Sequence, residues 1–567
     1  LSKWDLVIIG AEAQVNNPQI FEIMRRNNPD IIILAYIPSS EVPLKLANIN
    51  PKNPLYQLYW KVHRSNWWLR DHNGNYVVFW PNTRMINVTN KAPLASGLRW
   101  NTYLPKFVHN KIFSTGLWDG VFYDNVWSDI SWLNSGDIDI NRDGKIDNPS
   151  WLDSKWKEGM TTILSHSRSL DPDKIILGNG GDVFYPYLNG RLYESFLSSS
   201  GPGWQGTLNQ YQTMLGRAQI PRISIINHGG SAKSYRRMRF GLTTALLDDG
   251  YYSFDRTPST HDQIWWYDEY NANLGMPRQA SFRYSNGVWR RDYRYGIVLA
   301  NPTSSKKTLN LESEFYKIKG SQDPNHNSGL QVTSVSLYAK DGIIFFRPKS
   351  IITGAGPSGG PHVRSFNTNG NPTGASFFAY NESFRGGVRI ATGDVDGDGI
   401  DEIITGAGPG GRAHVRVFEK NGAWTGLDFW PFGLEFQGGV DVACGDVDGD
   451  GIDEIAMSQF SQGQAWIKVY KFNNQRTILG EWNAYGSFEG GATVALGDID
   501  GDGEAEVITG AGQGGSPHVR VFEANGQWKG LDFWPFDLNF RGGVDVSAHD
   551  IDNDGKDEIA MSQRSNG

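Results

Sequence analysis

From about residue 350 the sequence repeats, and the repeat limits what this part of the chain can become. DVDGDGIDE begins at Asp394 and again at Asp446, DIDGDGEAE at Asp498 and DIDNDGKDE at Asp550, a constant spacing of 52 residues. A second block recurs between them: ITGAGPSGGPHVRSF (352–366), ITGAGPGGRAHVRVF (404–418), AMSQFSQGQAWIKVY (456–470) and ITGAGQGGSPHVRVF (508–522). LDFWPF appears at 427 and 531, so pairs of units also repeat at 104. Units of this length, each with several β-forming runs, are the mark of propeller blades or an array. An all-β, propeller-type region over 350–567 is therefore expected.

Each acidic loop sets oxygen ligands at positions one, three, five, seven and nine. The seventh acts through its main-chain carbonyl, and glycine at the sixth makes the sharp turn. The sets are Asp394, Asp396, Asp398, Ile400 and Glu402; Asp446, Asp448, Asp450, Ile452 and Glu454; Asp498, Asp500, Asp502, Glu504 and Glu506; and Asp550, Asp552, Asp554, Lys556 and Glu558. Five acids within nine residues repel strongly unless a cation sits among them. One divalent ion per loop would take the formal net charge from −8 to zero, so about four calcium ions are expected in the repeats. A related loop, DINRDGKID, lies far upstream: Asp139, Asn141, Asp143, Lys145 and Asp147 keep the spacing, with Gly144 at the turn. Ser150 stands where an EF-hand has its bidentate glutamate. This loop either holds a fifth calcium, stiffening a rim loop, or is an Asx-rich turn without an ion.

A chain of 567 residues needs more than one core. Over 1–280, eight short buried-looking runs alternate with segments of helical spacing: 5–10, 31–37, 84–88, 120–124, 174–179, 191–196, 222–227 and 250–255. Helices are expected at 18–28 and 151–170, among others. Eight βα units favour a closed (β/α)8 TIM barrel, with a doubly wound open sheet as the competitor. No GxGxxG follows the first run, which counts against a dinucleotide. Residues 281–349 read as a small antiparallel β-sandwich-like domain, from RYGIVLANPT, VTSVSLYA and GIIFFRP. No run is long enough to cross a bilayer. No basic stripe suits a nucleic acid.

The residues that follow the runs would line a barrel mouth. Asp124 closes GVFYD, and Glu194 lies inside LYESF at the end of the sixth run. Acids from next-but-one strands can face each other, and glycoside hydrolysis needs such a pair. Glu194 could instead pair with Arg191. Glu12, Arg70, Asn125, Trp127, Asn179, Trp204, His228 and Asp255 are the candidate substrate contacts, since amides, acids and flat rings together suit a sugar.

The motifs WLRDHNG (68–74), WDGVFYDNV (118–126), LYESF (192–196), ALLDDGYYSFD (245–255) and WWYDEYNANLGMP (265–277) resemble glycoside hydrolase-like barrel families of bacteria and archaea. The arrangement is also similar to the α-galactosidase clan and the endo-polygalactosaminidase family. That resemblance implies Asp124 as nucleophile or electrostatic partner and Glu194 as acid/base. Asn87 stands where relatives often carry an acid. The repeats resemble FG-GAP/VCBS blades of the integrin-α type, which implies calcium.

Two functions are consistent with these features. One is a secreted or cell-surface enzyme cleaving a polysaccharide or glycan, with the propeller attaching it to a surface or protein partner. The other is a structural or adhesive surface protein whose barrel binds sugar without turnover. The final AMSQRSNG falls midway through a unit and residue 350 opens midway through another. Either those halves close a four-unit ring or the ring belongs to a longer chain. An open ring would expose sheet edges, which favours closure or an oligomer.

Overall fold

In the computed structural model the described residues are all but 195, 197–201, 257–260, 473–475, 552–554 and 566–567. The N-terminal part is built on a seven-stranded, all-parallel sheet of β1 (Leu6–Gly10), β2 (Ile32–Pro38), β5 (Gly120–Asp124), β6 (Ile175–Asn179), β7 (Gly190–Tyr193), β8 (Ile225–Gly229) and β9 (Tyr251–Asp255), paired in that order. Two short strands, β3 (Glu41–Pro43) and β4 (Thr83–Met85), form a separate antiparallel pair. Around the sheet lie α1 (Ala13–Asn16), α2 (Gln19–Asn27), α3 (Pro54–Arg64), α4 (Trp100–Lys111), α5 (Pro149–Leu170), α6 (Gly203–Arg217) and α7 (Tyr235–Ala245).

Seven of the eight runs are strands of this sheet. The third, 84–88, is not. It starts in β4, pairs with β3, and then lies beneath α5, so β2 pairs directly with β5. Among the described residues no pair joins β9 to β1, and the sheet is a half-barrel. Gly120 lets β5 meet β6: a Cβ there would fall 2.2 Å from the Ile175 carbonyl oxygen. The long helix α5 starts as its sequence dictates, with the Asn148 side chain accepting from Trp151 N and Pro149 in the first turn. Leu152, Trp156, Met160, Ile163 and Leu164 form its buried stripe. Trp265 and Trp266 sit in an irregular segment ahead of a 3-10 turn at Asp268–Asn271.

Next comes a six-stranded antiparallel sheet of β10 (Phe282–Arg283), β11 (Trp289–Asp292), β12 (Gly296–Asn301), β13 (Lys307–Lys317), β14 (Gln331–Leu337) and β15 (Asp341–Phe346). It packs on α7, where buried Arg239 bonds Asp341 at 3.2 Å and Asp323 at 2.6 Å.

The repeats form separate antiparallel sheets. The first holds β16 (Ser350–Gly354), β17 (His362–Asn367) and β18 (Pro372–Phe378); the second β19 (Val388–Gly393), β20 (Glu402–Ala407), β21 (Val415–Phe418) and β22 (Trp424–Phe429). The third holds β23 (Val440–Gly445), β24 (Glu454–Gln459), β25 (Trp466–Phe472) and β26 (Arg476–Asn483); the fourth β27 (Ala492–Gly497), β28 (Glu506–Ala511), β29 (Val519–Phe522) and β30 (Trp528–Phe533). Strands β31 (Val544–His549) and β32 (Glu558–Gln563) end the chain as a pair. Small and β-branched residues, such as Ala456, Ala492, Val494 and Val507, fill the space between successive sheets. Both β16 and β32 are second strands of their units, so the two ends duplicate one another, and among the described residues they are not paired. Among the described residues no helix is long and apolar enough to cross a membrane.

Candidate functional site

A parallel sheet delivers the residues at its strand ends to one rim. Asp124 ends β5, Asn179 ends β6, Glu194 follows β7, Asn227 lies in β8 and Asp255 ends β9. All five line one cavity of about 1220 Å³, with Tyr36, Trp80, Tyr252, His261 and Trp266 among its walls. The same cavity runs between Leu6–Ile9 of β1 and Tyr251–Ser253 of β9, along the edge where a closed barrel would be sealed.

The Asn179 amide nitrogen donates to both acids, to Asp124 Oδ1 at 3.0 Å and Glu194 Oε2 at 2.7 Å. Those two bonds laid end to end cap the separation of the carboxylate oxygens at about 5.7 Å. Asp124 also accepts from the Tyr36 hydroxyl at 2.6 Å and from Asn125 N at 2.9 Å. Burial pulls its carboxyl above the ordinary range while these donors pull it down. Three donors aimed at both oxygens require an acceptor on each, which only the carboxylate offers, so the geometry favours the anion.

Glu194 is held low, first by the His261 hydrogen bond and also by Asn179. His261 lies 3.4 Å from Glu194 and 2.8 Å from Asp255, and these two acids push the imidazole up to about 10. Asn227 Nδ2 fixes Asp255 at 3.0 Å. Asp255, His261 and Glu194 thus form a carboxylate–imidazolium–carboxylate chain. Nothing in a lone histidine after a loop announces this role in sequence. Glu41 is a further acid beside the pair: its Oε2 accepts from Asn125 Nδ2 at 3.1 Å, and burial raises it.

Asn125 lines the cavity. Its φ of 57° is the left-handed conformation that Asn tolerates better than most residues. The other expected contacts lie elsewhere. Trp204 is buried in α6, its indole N–H on Thr244 and its ring stacked on Phe240. His228 is buried between Phe196 and Phe254 and bonds the Arg237 carbonyl, and burial lowers it to about 4. Arg70 lies on the Tyr76 ring, 3.6 Å from its centre. Trp127 joins an aromatic cluster with Phe79 and Trp132, and Glu12 sits at the start of α1 with Oε2 buried and unbonded. Asn87 bonds the Ile140 carbonyl and so braces the 139–147 loop.

The acidic loops share one turn. Asp394 accepts from Gly397 N and Gly399 N, Asp398 N bonds Asp396, and Glu402 accepts from Val395 N. The upstream loop repeats the pattern: Asp139 accepts from Gly144 N, Asn141 from Asp143 N, Asp143 from Lys145 N, and Asp147 from Ile140 N. Glycine holds φ of 78° at 144, 88° at 399, 87° at 451 and 93° at 503, as the sixth position demands.

In three loops carboxylate oxygens gather within 4.8 Å: Asp394, Asp396 and Glu402; Asp446, Asp448 and Glu454; Asp498, Asp500 and Glu506. Two of these groups draw in an ammonium. Lys471 reaches Asp450 at 2.6 Å as well as Asp448, and Lys529 reaches Asp500 at 2.7 Å and Glu506 at 3.0 Å. In the first loop Glu402 Oε1 is buried without a donor, and burial with Asp396 beside it raises the carboxyl to about 8. These donor sets could hold a metal ion. Asp550, Lys556 and Glu558 of the fourth loop are described, whereas Asp552 and Asp554 lie outside the described residues.

The fold is thus a half-barrel with two acids at its rim, followed by antiparallel sheets with acid loops. Residues 25–297 match the family model described as hypothetical glycosyl hydrolase family 15, and residues 394–457 and 498–561 match that of the FG-GAP-like repeat. Among solved structures it is similar to the glycoside hydrolase domain of PelA from Pseudomonas aeruginosa, at 14% identity over 47% of this chain and 92% of that one, TM-score 0.31. The cyclic α-maltosyl-(1→6)-maltose hydrolase of Arthrobacter globiformis in complex with maltose aligns at 10% identity over 58% and 78%, TM-score 0.29. The cycloalternan-forming enzyme of Listeria monocytogenes aligns at 10% over 96% and 55%, TM-score 0.32. No curated protein matches the chain.

Proposed function

We propose that residues 1–280 are a glycoside hydrolase acting on a polysaccharide or glycan outside the cell or at its surface, that 281–349 stabilise it, and that 350–567 form a calcium-binding, propeller-type module for attachment. One observation carries the hydrolase reading: a single amide nitrogen bridges two carboxylates whose oxygens lie within about 5.7 Å. Carboxyl groups about 5–5.5 Å apart suit a retaining double displacement, whereas inversion needs about 6.5–9.5 Å for a water.

Asp124 is the nucleophile, its oxygens aimed by Tyr36, Asn179 and Asn125 N. Glu194 donates a proton to the leaving oxygen and then takes one from water. The 3.4 Å contact with His261 is its loosest, and a leaving-group oxygen entering there displaces the imidazolium that keeps Glu194 ionised. Trp80 and Trp266 offer apolar faces to sugar rings. In the repeats, the carboxylates and the position-seven carbonyls would hold calcium, which supplies positive charge that locks the loops.

The test is a screen against plant, microbial and animal glycans with wild type, Asp124→Asn and Glu194→Gln. Cleavage by wild type, with retention at the anomeric carbon, and a loss of about 10³-fold or more in each folded variant are expected. Wild type that cleaves nothing, or variants that cleave as well as wild type, would sink the proposal.

A further inference from the structure

The LDFWPF motif is not used by the half-barrel or by the acid loops. In the second and fourth repeat sheets its tryptophan lies flat on a histidine of the neighbouring strand. The ring centres of Trp430 and His414 are 4.3 Å apart at 15°, and those of Trp534 and His518 are 4.4 Å apart at 14°. The other side of each indole faces water: Trp430 is 39% exposed and Trp534 46%. An acid of the same motif sits beside each stack, with His414 Nε2 3.1 Å from Asp428 and His518 Nε2 3.4 Å from Asp532. The first sheet carries a lighter version, Phe378 on His362 at 4.8 Å with Ser376 as the polar neighbour.

The third sheet is an internal control. There Trp466 replaces the histidine, and the pairing slips by one residue: Ile467 faces Trp482, whereas the equivalent Val415 faces Phe429. A slip of one residue turns a side chain to the opposite face. Trp482 accordingly packs into the core against Phe522 and Gly526, and Asn483 takes the outer place. The exposed ring and its histidine therefore occur together or not at all, which packing alone does not require, while the acid's place is kept by Glu481, bound there to Lys468.

We propose that Trp430 and Trp534 are two glycan-binding platforms. Each seats the C–H face of a pyranose, while Asp428 or Asp532 accepts a hydrogen bond from a hydroxyl at the ring's edge. The carboxylate rim fits a sugar polymer without acid groups and repels polyuronates, nucleic acids and anionic membranes. Two equal platforms, two units apart, suit a polymer that offers the same sugar repeatedly. This deepens the attachment role proposed above, on which it rests for the class of ligand, and it does not depend on cleavage.

The experiment is affinity electrophoresis of the full chain in native gels containing galactomannan, xyloglucan, dextran, glycol chitin or polygalacturonate. All samples carry Glu194→Gln, so that binding is read without turnover. Retardation by at least one of the first four polymers is expected, and none by polygalacturonate. Trp430→Ala and Trp534→Ala should each weaken binding about tenfold and the double variant about 100-fold or more, with calcium-dependent melting unchanged. Retardation by none of the polymers overturns the platforms. So does retardation that survives loss of both rings, which would locate binding in the half-barrel and leave the hydrolase reading standing. Ring-dependent retardation in a protein whose wild type cleaves nothing would keep the platforms and remove the hydrolase.

Discussion

Asn179 directs both protons of one nitrogen at acids, and His261 does the same with its two ring nitrogens on the other side of Glu194. The protonation of His261 is therefore coupled to the charge on Glu194. The imidazole is raised to about 10, so its contribution to stability is complete below the ordinary 6.5 and lost as pH rises toward 10. Histidine resonances followed by NMR should show His261 still protonated at pH 8. In Glu194→Gln it should titrate lower; a midpoint near 6.5 in wild type would refute the chain of contacts. The acid loops have the same sign, over a lower pH window. Glu402 and Glu454 are raised by burial to about 8 and about 7, so the folded metal-free form binds protons more tightly than the unfolded chain. Its stability falls as pH rises from about 4.5 to 8, and calcium binding must release protons. Calorimetric titration at pH 7 in buffers of different ionisation enthalpy should give different apparent heats, and identical heats would contradict this.

Successive acid loops are chained through the residue at position eight, which is not among the expected ligands. The position-eight N–H of each later loop donates to the position-one carbonyl of the loop before it: Asp453 to Asp394 at 2.8 Å, Ala505 to Asp446 at 2.7 Å and Asp557 to Asp498 at 2.7 Å. The Asp453 and Asp557 carboxylates return the bond, accepting from Asp394 N at 2.9 Å and Asp498 N at 3.1 Å. Asp401 has no earlier acid loop to clasp, and Arg278, from the segment joining half-barrel and sheet, takes it at 2.7 Å together with Asp394 at 2.5 Å. Asp453→Ala removes an acceptor from a buried N–H and a counter-charge near Arg278 and Arg294, and should cost about 2–4 kcal/mol. Asp453→Asn keeps an acceptor and should cost less. Urea unfolding measures both, and equal midpoints for Ala and wild type would dismiss the clasp.

At the scale of the molecule, the Arg278 contacts tie the metal loops to the N-terminal half. Asp394, the position-one ligand of the proposed calcium loop, is also the partner of Arg278, so ion binding there would share a residue with docking. Calcium at 100 times its Kd should stabilise the repeats by about 2.7 kcal/mol, and chelation should remove that gain. Calorimetry of wild type with calcium should show one melting transition. Arg278→Ala should split it, with the repeat transition alone responding to chelator. Two transitions already in wild type would show that the joint carries no coupling.

Local chemistry made the repeats legible in the sequence. A nine-residue turn is closed by its own side chains, so spacing alone dictates the geometry at Asp394 through Glu402. The parallel strands were legible for the same reason: GVFYD and KIILGN are buried on both faces wherever they end up. The third run, 84–88, was not, because its apolar pattern suits a strand of the sheet and a segment packed beneath α5 equally well. Pairing partners are chosen by the whole chain. Trp204 and His228 followed the same logic, since an aromatic or imidazole near a strand end reads alike whether it faces the cavity or the helices. The convergence of Asp124, Asn179 and Glu194, and the arrival of His261 from 67 positions beyond Glu194, exist only once β5 to β9 stand side by side. Sequence settles what a residue and its near neighbours can bond; which distant residues share a hollow is settled by the packing of strands, which no local pattern encodes.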